Sequence, residues 1–259
     1  MKLFFRKLGE GKPLFVLHGL FGLSDNWTTA GKILSEHFEV YLIDLRNHGS
    51  SPHSDEWTYP ATAEDINELM SDARGQMANG NEKIILMGHS LGGKVAMQFA
   101  SMYPEKLEKL IVVDMAPKDY PVSDRSFIDH LLEMDFEKIK SRKEADEKIS
   151  SFIKEPAVRQ LLSKNLYWNE EKKLAWRFNL KAISENVSSI GKTFSVKNGM
   201  QTTALFIKGE KSNYILDSDT LAIKKTFPNS EFKTIDGAGH WVHADKPEEF
   251  VKIVGDFLK

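Results

Sequence analysis

The sequence predicts an α/β protein: a mostly parallel, doubly wound sheet carrying an inserted helical cap. Three observations predict it. Five short apolar runs, at 14–17, 40–43, 84–87, 110–113 and 204–207, punctuate the 259 residues. Continuous rather than alternating apolar character marks strands covered on both faces, as in parallel sheets. Helical patterns fall between the runs, which reads as right-handed βαβ units. The alternation then breaks once, between Asp114 and Thr202, where helical patterns of mixed charge stand and no convincing strand is found.

In chain order, residues 3–8 are a further candidate strand ahead of the first apolar run. Ile66, Leu69, Met70, Ala73 and Met77 share one helical face before the third run. A helix-like segment covers 94–103. In the interrupted stretch, Phe127, Ile128, Leu131 and Leu132 follow helical spacing, then Phe136 and Ile139. Ile149, Phe152 and Ile153 come next, then Leu161, Leu162 and Leu166, with Trp168, Trp176 and Phe178 adding bulk. Phe232 to Ile235 alternates and reads as an edge strand. Phe250, Ile253, Val254, Phe257 and Leu258 define the last helix. The core is therefore expected at 1–116 and 201–259, and the helical cap at 117–200.

Composition removes several classes of function. The chain is 41% hydrophobic and 28% charged, with a formal net charge of −2. That is ordinary globular composition, and no charge imbalance calls for a nucleic-acid or membrane partner. There are no cysteines, so disulfides, thiolate nucleophiles and zinc–cysteine sites are excluded. No run approaches 18 apolar residues, and Met1 to Lys7 lacks a signal-peptide core, so the cytoplasm is the expected location.

The chemistry centres on Gly88-His89-Ser90-Leu91-Gly92. This Gly-x-Ser-x-Gly string stands between an apolar run and a helical segment. A serine at a tight strand-to-helix turn is the nucleophile elbow, which lifts the hydroxyl clear of the sheet edge. The competing role for Ser90 is capping the helix that follows. A serine nucleophile needs a base and oxyanion donors. Among eight histidines, His240 is the best base. It follows Gly237-Ala238-Gly239 after the last strand, where loops at carboxyl ends converge on the site of an open sheet. His89 lies too close along the elbow, and His243 is the obvious decoy. One oxyanion donor should be the Leu91 N–H. The other should come from His18-Gly19-Leu20-Phe21-Gly22, with Leu20 chosen and Phe21 the fallback. A carboxylate must orient the base. Asp114 closes the strand after the one bearing Ser90 and leads; Asp236, Asp217 and Asp219 compete. Phe21, Phe127, Leu131, Trp168 and Trp176 are the expected lining of an apolar acyl channel.

At this point the chain resembles the α/β-hydrolase superfamily. The marks are His18-Gly19, Asp44-Leu45-Arg46-Asn47-His48-Gly49-Ser50-Ser51, Gly88 through Gly93, and Gly239-His240. Within it the chain is similar to small esterases that include a bacterial acyl-thioester-hydrolysing branch and the mitochondrial abhydrolase-domain group. The supporting strings are Arg46-Asn47-His48-Gly49, Val113-Asp114-Met115-Ala116-Pro117 and Gly239-His240-Trp241-Val242-His243-Ala244. The resemblance implies the α/β-hydrolase fold and a serine hydrolase of carboxylic esters or acyl thioesters, working without cofactor or metal. Ser90 and His240 would be nucleophile and base, and Leu20 and Leu91 the oxyanion donors. One departure stands out. Many members carry the acid in a Gly-x-x-Asp string after the strand matching 204–207, where this chain has Gly209-Glu210-Lys211-Ser212. An acid on the preceding strand, here Asp114, is a known alternative in the superfamily.

Rival readings fail on chemistry. Gly88 through Lys94 satisfies Gly-x-x-x-x-Gly-Lys, but Val95 replaces the hydroxyl that a phosphate loop places on magnesium. Gly191-Lys192-Thr193 is present, but Asn186 stands where that motif's first glycine belongs. No histidine–carboxylate spacing matches a hydrolytic zinc site. A lyase or C–C bond hydrolase of this fold, acting on acidic substrates, would need inward cations, for which Arg125, Arg142, Arg159 and Arg177 are candidates. A binding protein without activity would not need Ser90 and His240.

Overall fold

A computed structural model describes residues 1–74, 83–120, 125–192 and 196–259. Met77 and Thr193, named above, lie outside the described residues. Seven strands form one sheet: β1 (Phe5–Leu8), β2 (Lys12–Leu17), β3 (Phe38–Ile43), β4 (Ile84–His89), β5 (Leu107–Val113), β8 (Thr203–Gly209) and β9 (Ser230–Ile235). Their spatial order is β1-β3-β2-β4-β5-β8-β9. Only β1 runs antiparallel, against β3. The five apolar runs occupy the five central strands, and the two weaker candidates, β1 and β9, are the edges.

Side-chain alternation along each strand divides the core between two faces. Phe15, Leu17, Leu86 and Val112 pack against Ile66 and Met70 of α2 (Tyr59–Arg74) and Val95 and Phe99 of α3 (Leu91–Met102). Leu14, Val16, Ile85, Met87 and Val113 face Leu34 of α1 (Thr28–Leu34) and Phe250 and Val254 of α10 (Pro247–Leu258). Among the described residues, no helix is long and apolar enough to cross a membrane.

Strands β5 and β8 are neighbours in the sheet, so the chain between them is an insertion in the βαβ pattern. It holds α4 (Ser126–Leu132), α5 (Arg142–Phe152), α6 (Pro156–Lys164) and α7 (Leu180–Gly191). The expectation of an all-helical segment is corrected in two places. Leu166–Trp168 (β6) and Leu174–Trp176 (β7) pair as a small antiparallel hairpin. Strands of three residues are too short for alternation to register in a sequence. Phe136 lies in a turn and Ile139 in irregular chain, neither on a helix.

The Gly-Lys pair that imitated a phosphate loop has a structural use. The Lys94 side chain is buried on α3, and its Nζ donates to the carbonyls of Gly191 at 3.1 Å and Lys192 at 3.0 Å. A cation at the carbonyl end of a helix satisfies orphan acceptors and the helix dipole. Burial lowers its pKa to about 8. The residue four positions beyond Ser90 therefore ties the core to the end of the insertion.

Candidate active site

Ser90 follows β4 with φ 53° and ψ −118°, a left-handed conformation that non-glycine residues rarely adopt. The flanking glycines make this turn fit. A Cβ on Gly88 would overlap the Gly92 carbonyl, and one on Gly92 would lie 2.6 Å from the Leu17 carbonyl oxygen. The Ser90 N–H donates to the Val113 carbonyl at 3.0 Å, fixing the elbow against β5. The Ser90 side chain makes no helix-capping bond. Ser90 instead borders a cavity of about 690 Å³ that His240 also lines.

His240 sits between β9 and a one-turn helix, α9 (Val242–Asp245). Its Nδ1 donates to Asp114 Oδ2 at 2.7 Å. With the proton on Nδ1, Nε2 keeps the lone pair that a general base needs. Asp114 is fully buried at the end of β5 with φ 49°. Three groups besides the imidazole hold it. Its N–H donates to the Ile207 carbonyl at 2.7 Å, the Gly209 N–H reaches Oδ1 at 3.3 Å, and the Ser212 hydroxyl donates to Oδ2. The serine that replaces aspartate in the Gly209–Ser212 string thus bonds directly to the acid on the neighbouring strand. Asp236 is exposed, Asp217 pairs with Lys208 at the surface, and Asp219 accepts from Lys118 and the Leu216 N–H. The structure brings Asp114 to His240 and leaves these three elsewhere. Tyr214, unremarked in the sequence, stacks on the His240 ring at 3.8 Å and 16°.

The loop at 18–22, expected to supply an oxyanion donor, is held by two buried histidines. His18 Nδ1 bonds the Gly19 carbonyl at 2.8 Å, and its Nε2 accepts the Leu45 N–H at 3.0 Å. His48 Nδ1 bonds the Arg46 carbonyl at 3.0 Å, and its Nε2 accepts the Phe21 N–H at 3.2 Å. Both rings therefore serve as neutral donor–acceptor bridges. Burial lowers their pKa values to about 4 for His18 and about 3 for His48. The Phe21 N–H is thus committed, which favours Leu20 over the fallback. Leu91 is the first residue of α3, where an N–H has no intrahelical acceptor.

Two other histidines near the site do other work. His89 is buried and its Nε2 bonds the His240 carbonyl at 2.9 Å. Burial holds its pKa well below the usual value. His243 stacks on Trp27 at 3.9 Å and 12°, and its Nδ1 has no partner among the described residues.

Of the expected channel residues, Phe21 and Phe127 line the cavity. Leu131, Trp168 and Trp176 do not, and that expectation is corrected. Leu131 is buried in the core. Trp176 stacks on Phe178 at 5.0 Å and meets Phe136 edge-on. Trp168 is 49% exposed on the three-residue hairpin strand. Phe152, Ile153, Val158 and Leu161 from the ends of α5 and α6 supply the apolar wall instead. An amphipathic helix shows that it has an apolar face, but not which cavity that face meets. None of Arg125, Arg142, Arg159 and Arg177 lines this cavity. Arg125 and Arg142 spend their guanidinium groups on insertion carbonyls.

The sequence profile of the alpha/beta hydrolase fold family matches residues 12–157. The chain belongs to the alpha/beta hydrolase family. Relatives with esterase and lipase names are among those it matches. It is 35% identical to the sn-1-specific diacylglycerol lipase ABHD11 of Danio rerio, over 97% of this chain and 80% of that protein. It is 31% identical to esterase YbfF of Escherichia coli, over 96% of this chain and 94% of the other. A solved structure described as a marine microorganism esterase superposes with a TM-score of 0.93 at 39% identity, covering 99% of both chains. The chain is thus an alpha/beta hydrolase of the esterase group.

Proposed function

We propose that this chain is a serine hydrolase that cleaves carboxylic esters or acyl thioesters through an acyl-enzyme on Ser90. One observation carries the reading: the His240 imidazole, oriented by buried Asp114 through a 2.7 Å bond, borders the same cavity as the strained Ser90. In this reading the Ser90 hydroxyl attacks the carbonyl carbon while His240 Nε2 takes its proton. The Leu20 and Leu91 N–H groups hold the oxyanion. His240 then protonates the leaving alcohol or thiol as the carbonyl re-forms. A water deprotonated by His240 attacks the acyl-enzyme and releases the carboxylic acid and Ser90. Residues 1–116 and 201–259 act as the catalytic core, and 117–200 as a cap that selects the acyl group.

The cavity supports an apolar acyl group and an uncharged substrate. Phe127, Phe152, Val158 and Leu161 form an apolar wall. Lys164 also lines the cavity, but so do Glu155 and Asp245. Among the described residues no arginine lines the cavity to pair with a substrate carboxylate, which weighs against the lyase or C–C hydrolase alternative. The family's esterase and lipase relatives point the same way.

The test is a series of p-nitrophenyl esters of increasing acyl length, run beside acyl-CoA thioesters, with Ser90→Ala as control. Ser90→Ala should remain folded, lose turnover and lose labelling by a fluorophosphonate. Substantial turnover in that variant would reject Ser90 as the nucleophile. Failure of the wild-type protein to react with the fluorophosphonate would favour a binding protein.

A further inference from the structure

We propose that Asn165 is a positioning residue through which the inserted segment holds the oxyanion loop in its working shape. This rests on the serine-hydrolase reading above.

Gly19 to Gly22 form a tight turn closed by the Gly22 N–H on the Gly19 carbonyl at 2.9 Å. Phe21 occupies its third position with φ 59°. A left-handed third position in such a turn ordinarily takes glycine, and a bulky side chain there is strained. Something must hold it, and two hydrogen bonds do. The Phe21 N–H donates to His48 Nε2 on the core side. The Phe21 carbonyl accepts from Asn165 Nδ2 at 2.7 Å on the insertion side.

Asn165 is fully buried where α6 ends. Its Nδ2 also donates to the Leu161 carbonyl at 2.9 Å, while its Oδ1 has no partner among the described residues. A flipped amide would set Oδ1 against two carbonyl oxygens, so the donor must face Phe21. A buried amide with half its capacity unused is costly. The cost is explicable if this one bond matters more than satisfying the whole group.

The consequence reaches the reaction centre through peptide planarity. The Gly19 carbonyl is fixed by the Gly22 N–H and by His18 Nδ1. In a trans peptide the next N–H, that of Leu20, points the opposite way. If Phe21 relaxes to negative φ, the turn opens, the Gly19–Leu20 peptide rotates and the Leu20 donor leaves its line. Helix α6 also lines the cavity with Val158 and Leu161. One helix therefore carries both the acyl wall and the strut under the oxyanion loop.

The experiment compares Asn165→Leu and Asn165→Asp with the wild-type full chain on p-nitrophenyl butyrate. Asn165→Leu should lose kcat by about 10- to 100-fold, up to the loss of one oxyanion donor, with little change in KM. Affinity for a trifluoromethyl ketone, which forms a tetrahedral adduct, should fall in parallel. Asn165→Asp keeps the shape but donates only when protonated. Its kcat relative to wild type should therefore rise as pH falls from 8 to 6, which a merely structural role would not produce. A folded Asn165→Leu protein with kcat within twofold of wild type overturns the proposal. So does a rise in KM alone, or a loss of both folding and activity in both variants at every pH. Ser90→Ala separates the cases: its inactivity keeps the hydrolase reading whatever Asn165 does, and its activity removes that reading first.

Discussion

Replacing Asp114 by asparagine should cost this protein most of its turnover while leaving its shape intact. The structure says which way the new amide would turn. The Gly209 N–H can only donate to Asp114 Oδ1, whereas the Ser212 hydroxyl at Oδ2 can turn to accept, so the Oδ1 position favours the amide oxygen. The NH₂ group would then occupy the place of Oδ2, facing His240 Nδ1. An NH₂ donor there requires a lone pair on Nδ1, which moves the imidazole proton to Nε2 and removes the base. The carboxylate that stabilises the imidazolium is lost as well. In a triad of this type the wrong tautomer costs about 10⁴ in kcat, or about 5.5 kcal/mol at 1.36 kcal/mol per decade. The control is Asp217→Asn, at a surface carboxylate 98% exposed and paired only with Lys208. Its kcat should stay within about twofold of wild type, since exposed pairs matter little. Both variants are assayed on p-nitrophenyl butyrate, with circular dichroism melting to check the fold. A folded Asp114→Asn protein within tenfold of wild type, or a larger loss from Asp217→Asn, refutes the assignment of the acid.

Two further predictions concern the buried histidines. His18, His48 and His243 have pKa values lowered by burial to about 4, 3 and 3, against an ordinary 6.5. As pH falls below 6.5 the unfolded chain takes up protons that the folded chain refuses, so the stability these groups contribute is complete above 6.5 and is lost toward pH 4. The Tm should fall steadily across that window, and a flat Tm from pH 7 to 4 would contradict the burial argument. His89→Leu leaves the His240 carbonyl without its donor, a defect of about 1–3 kcal/mol if fully buried. Its kcat should fall about tenfold or more at nearly constant KM, with His89→Gln restoring most of it because the amide can still donate. Equal losses in the two variants would show that the bond to the base loop is irrelevant.

The parts legible in the sequence are those whose cause is local. Continuous apolar runs identified the five central strands because both sheet faces are covered. The elbow was legible because its close approaches exclude side chains at 88 and 92, so glycine must appear at that spacing. Asp114 could be ranked but not fixed, since its partners Gly209, Ser212 and His240 come from distant segments. The channel was only half legible. Phe21 is tethered to the elbow side by its loop, whereas Trp168 and Trp176 differ in exposure for reasons set by hairpin packing alone. Asn165, Ser212, Tyr214 and His48 carried no motif that assigned them a role, because each acts through one tertiary contact.

Backbone strain joins the legible and illegible parts. Among the described residues five non-glycine positions have positive φ, and three of them are Phe21, Ser90 and Asp114. In the proposed mechanism these belong to the oxyanion loop, the nucleophile and the acid. Each such residue costs of order 1–3 kcal/mol and persists only where its surroundings over-determine it. The surroundings do so here by hydrogen bonds from different segments: His48 and Asn165 on Phe21, Val113 on Ser90, Ile207 on Asp114. Strain at one reacting group is thus borne by a neighbouring strand or by the insertion. It follows that single substitutions of the two side-chain supports, His48 and Asn165, should move kcat before they move the fold. In the proposed mechanism the chemistry therefore falls on backbone that its neighbours must hold in place.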